Sequence, residues 1–301
     1  MNSKIKVMCT STGCLDYAPE RYRGHGIDII RVLVNFKGKE YMEGYDLDPV
    51  EFYRELETMP DPKNNLPKTA MPYRETIAEH FERAYEEGYR EVIVVALSAY
   101  LGGTCNLIGL VANEFADRMR ISVVDSKIAC FGEGLLAVRA AELAEAGVDH
   151  DTILKELDWM IKRQEFIGVD GKLDYLIYNG RLKGGKALMG KMLNICPVVH
   201  FSHEGEITAL QSVRTEKKAL ARSCEIIKEL IGDRSPEDYL LWHVYTGPSL
   251  LETLKEIEVK YGVSTNHEDM IVSPVSGCHN GPWLAGYGLA FLRRDDEPLE
   301  D

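Results

Sequence analysis

Three short clusters of small polar residues stand where an open parallel sheet keeps its ligands. Thr10-Ser11-Thr12 follows a strand-like segment at residues 4–9, Ser98 follows the apolar run at 92–97, and Asp125-Ser126 follows the run at 121–124. In open α/β sheets, ligands bind beyond the carboxyl ends of the strands. The second cluster runs on through Leu101-Gly102-Gly103-Thr104 into a predicted helix. A glycine pair before a helix N-terminus offers free amides and a positive dipole end to an anion. A hydroxyl beside such amides suits a bound carboxylate better than it suits catalysis. Any one cluster is accounted for by helix capping; three together point modestly to a ligand site. Near the end, Ser276-Gly277-Cys278-His279-Asn280-Gly281-Pro282 reads as a glycine-rich turn after a strand. His279 there could donate a hydrogen bond to an anionic head group or titrate beside it, though a lone turn histidine by itself proves little.

Other catalytic signatures are missing. Residues 185–191, GKALMGK, match the phosphate-loop pattern, but Met192 stands where Mg²⁺ binding needs Ser or Thr, and no buried strand feeds the segment. Leu188, Met189, Met192 and Leu193 suggest an amphipathic helix there instead. There is no G-x-S-x-G elbow and no H-E-x-x-H. His200 and His203 have no clustered Cys, Asp or further His nearby, so no metal site is expected. The seven cysteines form no C-x-x-C pair and read as buried free thiols of a reducing compartment. A net charge of −13 argues against broad nucleic-acid binding and against adhesion to an anionic membrane. The opening MNSKIKVMCTSTGC lacks signal-peptide architecture, so a cytoplasmic protein is expected.

The elements that must position these residues alternate in type. Strands are expected at 4–9, 29–36, 92–97 and 121–124. Helices are expected after the Asp48-Pro49 start, after Pro72, near 106–119 and at 134–145. The continuous apolar run VIVVAL marks a strand buried on both faces. A helix at 151–164 carries the chain onward, and the pattern then changes to short strands mixed with helices. A hairpin is expected from 197–201 and 207–213, a helix at 216–231, a strand at 239–245, a helix after Pro248, and late strands at 270–275 and 289–292. The fold class is therefore α/β in two domains. Residues 1–164 form a mostly parallel sheet flanked by helices, and 165–301 form an α+β domain with a mixed sheet.

Several motifs recur in a characteristic order. They run from Thr10-Ser11-Thr12, through the Tyr41–Asp48 turn with Phe52-Tyr53, to Thr69-Ala70-Met71-Pro72 and the segment 98–104, SAYLGGT. Val124-Asp125-Ser126, Gly180-Arg181-Leu182, the segment 193–197, Arg214 with Lys218-Ala219, and finally Gly277–Pro282 complete the series. No single motif is highly specific, but their order resembles the DegV family over essentially the whole length. The better-understood members are the fatty-acid-binding (FakB-type) subunits of bacterial fatty acid kinase. The resemblance implies a ligand tunnel between the domains that holds an acyl chain, with its carboxylate at the mouth. It places Thr69, Ser98 and His279 at the head group, with Gly102, Gly103 and Asn280 in the matching motifs and Arg181 supporting the network. Arg214 matches a basic position that meets the partner, an ATP-dependent kinase subunit (FakA type). That subunit would bring ATP and Mg²⁺ and convert the bound carboxylate to an acyl phosphate; this chain would need no cofactor and catalyse nothing.

The chain departs from the family pattern in places. Thr10 stands where an acid is usual, and Ala70, Met71, Ala99 and Gly102 replace more polar residues. Asn280 stands where threonine is common and Trp283 where glycine is common. Two further functional readings stay open at this point. One is a hydrolase using Ser98 with His279 as base, which lacks a recognisable third member to orient the histidine. The other is a sensor of a lipid or small acid that works without any kinase.

Overall fold

The computed structural model describes residues 4–184, 195–263, 267–294, 297 and 299. The phosphate-loop look-alike at 185–191, the amphipathic helix expected there, and residues 193–194 lie outside the described residues.

Strand β1 (Ile5–Thr10) begins the first sheet and β2 (Asp28–Ile30) pairs beside it. A single strand was expected at 29–36, but the chain leaves the sheet after Ile30. The Val32 amide donates to Ser11 Oγ at 3.0 Å, and the Arg31 guanidinium pairs with Asp16. These anchors redirect β3 (Leu33–Phe36) into a separate antiparallel sheet of order β4-β3-β5, with β4 at Lys39–Met42 and β5 at Lys68–Ala70. The β3–β4 turn places Lys37 and Gly38 at φ 51° and 74°, as a two-residue hairpin of matching twist requires. Helix α1 (Pro49–Glu57) starts as its sequence dictates, with Asp48 accepting the Glu51 amide at 2.9 Å.

Helix α2 (Arg74–Glu86), strand β6 (Glu91–Ala96), helix α3 (Thr104–Asn113), strand β7 (Arg120–Asp125) and helix α4 (Phe131–Glu145) complete the first layer. All pairs in the order β2-β1-β6-β7 are parallel. The apolar run of β6 is used on both faces. Val92, Val94 and Ala96 pack with Phe81 and Ile108 of α2 and α3, whereas Ile93 and Val95 pack toward Leu136 of α4. Helix α3 ends earlier than expected, at Asn113, and turns follow.

Helix α5 (His150–Ile161) leads into β8 (Gln164–Asp170), and a short helix α6 (Asp174–Tyr178) follows. Strands β9 (Cys196–Phe201) and β10 (Ile207–Val213) form the expected antiparallel hairpin. Then come α7 (Glu216–Ile231), β11 (Tyr239–Tyr245), α8 (Pro248–Tyr261) and β12 (Glu268–Ile271). The late strand expected at 270–275 ends at Ile271, because Ser273-Pro274 starts helix α9 (Pro274–Asn280). His279 therefore sits in the last turn of a helix rather than in a loop. Strand β13 (Leu284–Phe291) is longer than expected and crosses the middle of a mixed sheet of order β10-β9-β8-β13-β11-β12. Helices α7 and α8 cover one face of this sheet. The other face shares a continuous core with α4 and the first sheet, in which Phe131 meets Trp242 edge-on at 5.3 Å.

Candidate functional site

A cavity opens between the two large sheets. It encloses about 910 Å³ of empty space counted with its open mouth. Leu97 and Leu101 from the loop after β6 face Phe166, Val199, Phe201 and Ile207 from β8, β9 and β10. The wall is therefore mostly apolar.

The polar groups gather by a chain of contacts. Thr69 is set by the pairing of β5 with β3, opposite Val34. Its hydroxyl lies 3.1 Å from His279 Nε2. The other ring nitrogen, Nδ1, is buried without a partner among the described residues. Burial, reinforced by the nearby Arg181 charge, pulls the His279 pKa down to about 3, so the imidazole is neutral at physiological pH. Arg181 donates from Nε to the Leu101 carbonyl at 3.1 Å and from a terminal nitrogen to the Asn179 carbonyl. Burial lowers its pKa as well, yet no carboxylate pairs with it among the described residues. A guanidinium thus faces the cavity with its charge uncompensated. Beside Leu101, the α3 N-terminus opens at Gly102-Gly103 without a side-chain cap. A Cβ on Gly103 would stand 2.8 Å from Met71 Sδ, the end of a flexible side chain that closes over the loop.

Thr69, Gly102, Gly103, Arg181, His279 and Asn280 all line the cavity. Ser98 does not. It is buried, and its hydroxyl donates to the Gly205 carbonyl at 2.8 Å, tying the loop after β6 to the β9–β10 turn. His279 is bonded to Thr69 instead, so the Ser98–His279 pair that a hydrolase would need is not formed. The Asp125-Ser126 cluster is also structural: Asp125 accepts the Ala99 and Lys127 amides, and Ser126 donates to the Ile128 carbonyl. Arg214 is exposed at the end of β10, away from the cavity lining.

One element of the site escaped the sequence reading. The carboxyl of Glu133, on α4, is fully buried and accepts from Thr10 and, at 2.7 Å, from Thr12. Burial raises its pKa well above the carboxylate range, which keeps it protonated. Thr12 also lines the cavity, so this acid props one wall. The signal in the sequence was a charged residue between two glycines, at the otherwise apolar start of the helix.

The family model for uncharacterised proteins of the DegV family matches residues 4–292. A DegV domain-containing protein of Listeria innocua is 33% identical over 288 residues, spanning 95% of this chain and 98% of that protein. A solved fatty acid binding DegV family protein from Streptococcus agalactiae superposes with a TM-score of 0.86 at 28% identity, over 97% of this chain and 100% of the other. A stearic acid-binding protein from Eubacterium ventriosum superposes at 0.80 and 25% identity, over 95% and 98% of the two chains. Likeness of sequence and of fold thus spans nearly the whole chain, and the chain belongs to the DegV family.

Proposed function

We propose that this chain binds a long-chain fatty acid in the cavity between its sheets and presents the carboxylate to an ATP-dependent kinase subunit. The observation that carries the binding role is the half-buried Arg181 guanidinium, without a carboxylate partner among the described residues, in a mostly apolar cavity beside Thr69, His279 and the α3 N-terminus. A buried carboxylate needs hydrogen-bonded or charged partners, and a guanidinium is the side chain best shaped to meet one. Burial of a methylene contributes about 0.8 kcal/mol, so ~15 of them gross on the order of 12 kcal/mol before ordering losses. The apolar wall supplies the affinity and the polar end supplies the orientation. Solved relatives described as binding fatty acid, one of them stearic acid, support the same ligand class.

The role is positioning rather than bond-making, and it needs no cofactor in this chain. Phosphoryl transfer to a carboxylate is mostly a matter of placement and charge neutralisation. The kinase would supply ATP and Mg²⁺, meet the exposed face that carries Arg214, and leave an acyl phosphate in the cavity. This reading places the chain in the cytoplasm, with ATP.

Native mass spectrometry of the purified chain tests the first step. A co-purified or added long-chain acid, reduced in Thr69→Val and Arg181→Gln variants, is the expected result. A mass that stays at the polypeptide value with long-chain acids added would overturn it. For the second step, a hydroxylamine trap for acyl phosphate should respond to chain, kinase subunit and ATP together. Arg214→Glu should abolish that signal and leave fatty-acid binding intact; loss of both would remove the separate docking role.

A further inference from the structure

On the far side of the mixed sheet, three buried side chains converge that the fatty-acid site does not use. His243 lies on β11, Glu258 on α8, and His267 immediately before β12. Their side chains are 1%, 0% and 4% exposed, and none lines the cavity. One donor atom from each lies within 4.8 Å of the others. His243 Nε2 stands 2.9 Å from Glu258 Oε1, and His267 Nε2 stands 3.5 Å from the same oxygen.

We infer that His243, Glu258 and His267 form a binding site for one divalent transition-metal ion of the zinc class. His267 Nε2, buried and turned toward Glu258 Oε1, has no hydrogen-bond partner among the described residues. Buried polar atoms are nearly always satisfied, and an ion is one of the few things that satisfies an imidazole nitrogen and a carboxylate oxygen at once. Ligands of a tetrahedral zinc ion sit roughly 3.3 Å apart, given bonds of about 2.0–2.1 Å, so the 2.9 Å pair must open slightly and any wider pair must close. Two imidazoles and one carboxylate suit zinc and its neighbours rather than Ca²⁺ or Mg²⁺, which prefer oxygen.

The surroundings have the arrangement that orients such ligands. His243 Nδ1 lies 2.7 Å from Asp269 Oδ1, on the adjacent strand in direct register, and Lys255 pairs with the same carboxylate. An imidazole held this way at Nδ1 directs Nε2 at the metal. Nε2 is hydrogen-bonded to Glu258 at 2.9 Å; an ion would take the nitrogen lone pair, and any proton on that nitrogen would leave to solvent. His267 also lines a surface pocket, together with Arg21, Tyr22 and Glu268.

The test uses the full-length chain without an affinity tag, stripped with chelator and titrated with zinc chloride by calorimetry. One equivalent should bind saturably, and His267→Ala should weaken it by at least a hundredfold. Asp269→Asn should weaken it by about ten- to a hundredfold at unchanged stoichiometry. Fatty-acid binding should be the same in every variant whose circular dichroism matches the parent. Cobalt loading of the unmutated chain gives an independent readout: intense visible bands of a four- or five-coordinate ion are expected. Absence of saturable zinc binding, binding unchanged in His267→Ala, or the weak spectrum of hydrated cobalt would each overturn the site.

Discussion

At the scale of single residues, the decisive contrast lies between Arg181 and His279. The histidine is neutral in the ligand-free chain because burial and the guanidinium both oppose its charge. The permanent cation at the cavity is therefore Arg181, with Thr69 and His279 supplying shorter-range hydrogen bonds. A hydrogen bond to a charged group contributes about 1.5–3 kcal/mol, so Arg181→Gln should weaken fatty-acid binding roughly ten- to a hundredfold. Thr69→Val should lose only about fivefold, as a neutral hydrogen bond does, both read by calorimetry with a long-chain acid. Glu43 offers a pH test. Burial raises its pKa to about 7, with Tyr17 donating to one oxygen at 3.0 Å and the other oxygen unpartnered among the described residues. Its unfolded value is about 4.5. The folded chain holds that proton more tightly, so stability is lost as pH rises from the unfolded value through the folded one. The total is roughly 3 kcal/mol at about 1.4 kcal/mol per pKa unit. Gln mimics the protonated acid, so Glu43→Gln should match the parent near pH 4 and be the more stable at pH 8. Equal urea midpoints for the two proteins at pH 8 would contradict this.

At the scale of elements, Ser98 is a brace between the first layer and the β9–β10 turn, through its bond to Gly205. Ser98→Ala should leave head-group affinity within about twofold while lowering stability by about 1 kcal/mol, more if the Gly205 carbonyl stays unpaired. A large loss of affinity at normal stability would instead put Ser98 at the ligand. Elements whose cause is local were legible in the sequence. The Asp48-Pro49 start and the two-faced β6 follow from residues that are neighbours in the chain. Two elements were misread because their causes are distant. The break between β2 and β3 is set by Ser11, Asp16 and Glu43. The apolar run at 270–275 hides a strand-to-helix switch whose sign is only Ser273-Pro274. The site divides in the same way. Thr69 and His279 are 210 residues apart and could be joined only by motif order. Glu133 and its partner Thr10 are 123 apart with no motif to join them.

At the scale of the whole molecule, one apolar cluster runs through both large sheets, and Tyr53 of α1 donates to the Val272 carbonyl at 2.9 Å, just before α9. Surfaces that share a core lose it together, so calorimetry should give a single unfolding transition. A bound fatty acid should move that transition upward with ligand concentration. Two resolved transitions, with only one responding to ligand, would show that the layers melt separately. The placing of the cavity has a kinetic corollary. Its walls belong to two sheets that share a common core, so widening it to seat a hydrocarbon tail means moving both sheets. Loading would then be timed by the breathing of the protein. The observed association rate should level off as ligand is raised, and tails of very different length should reach the same plateau.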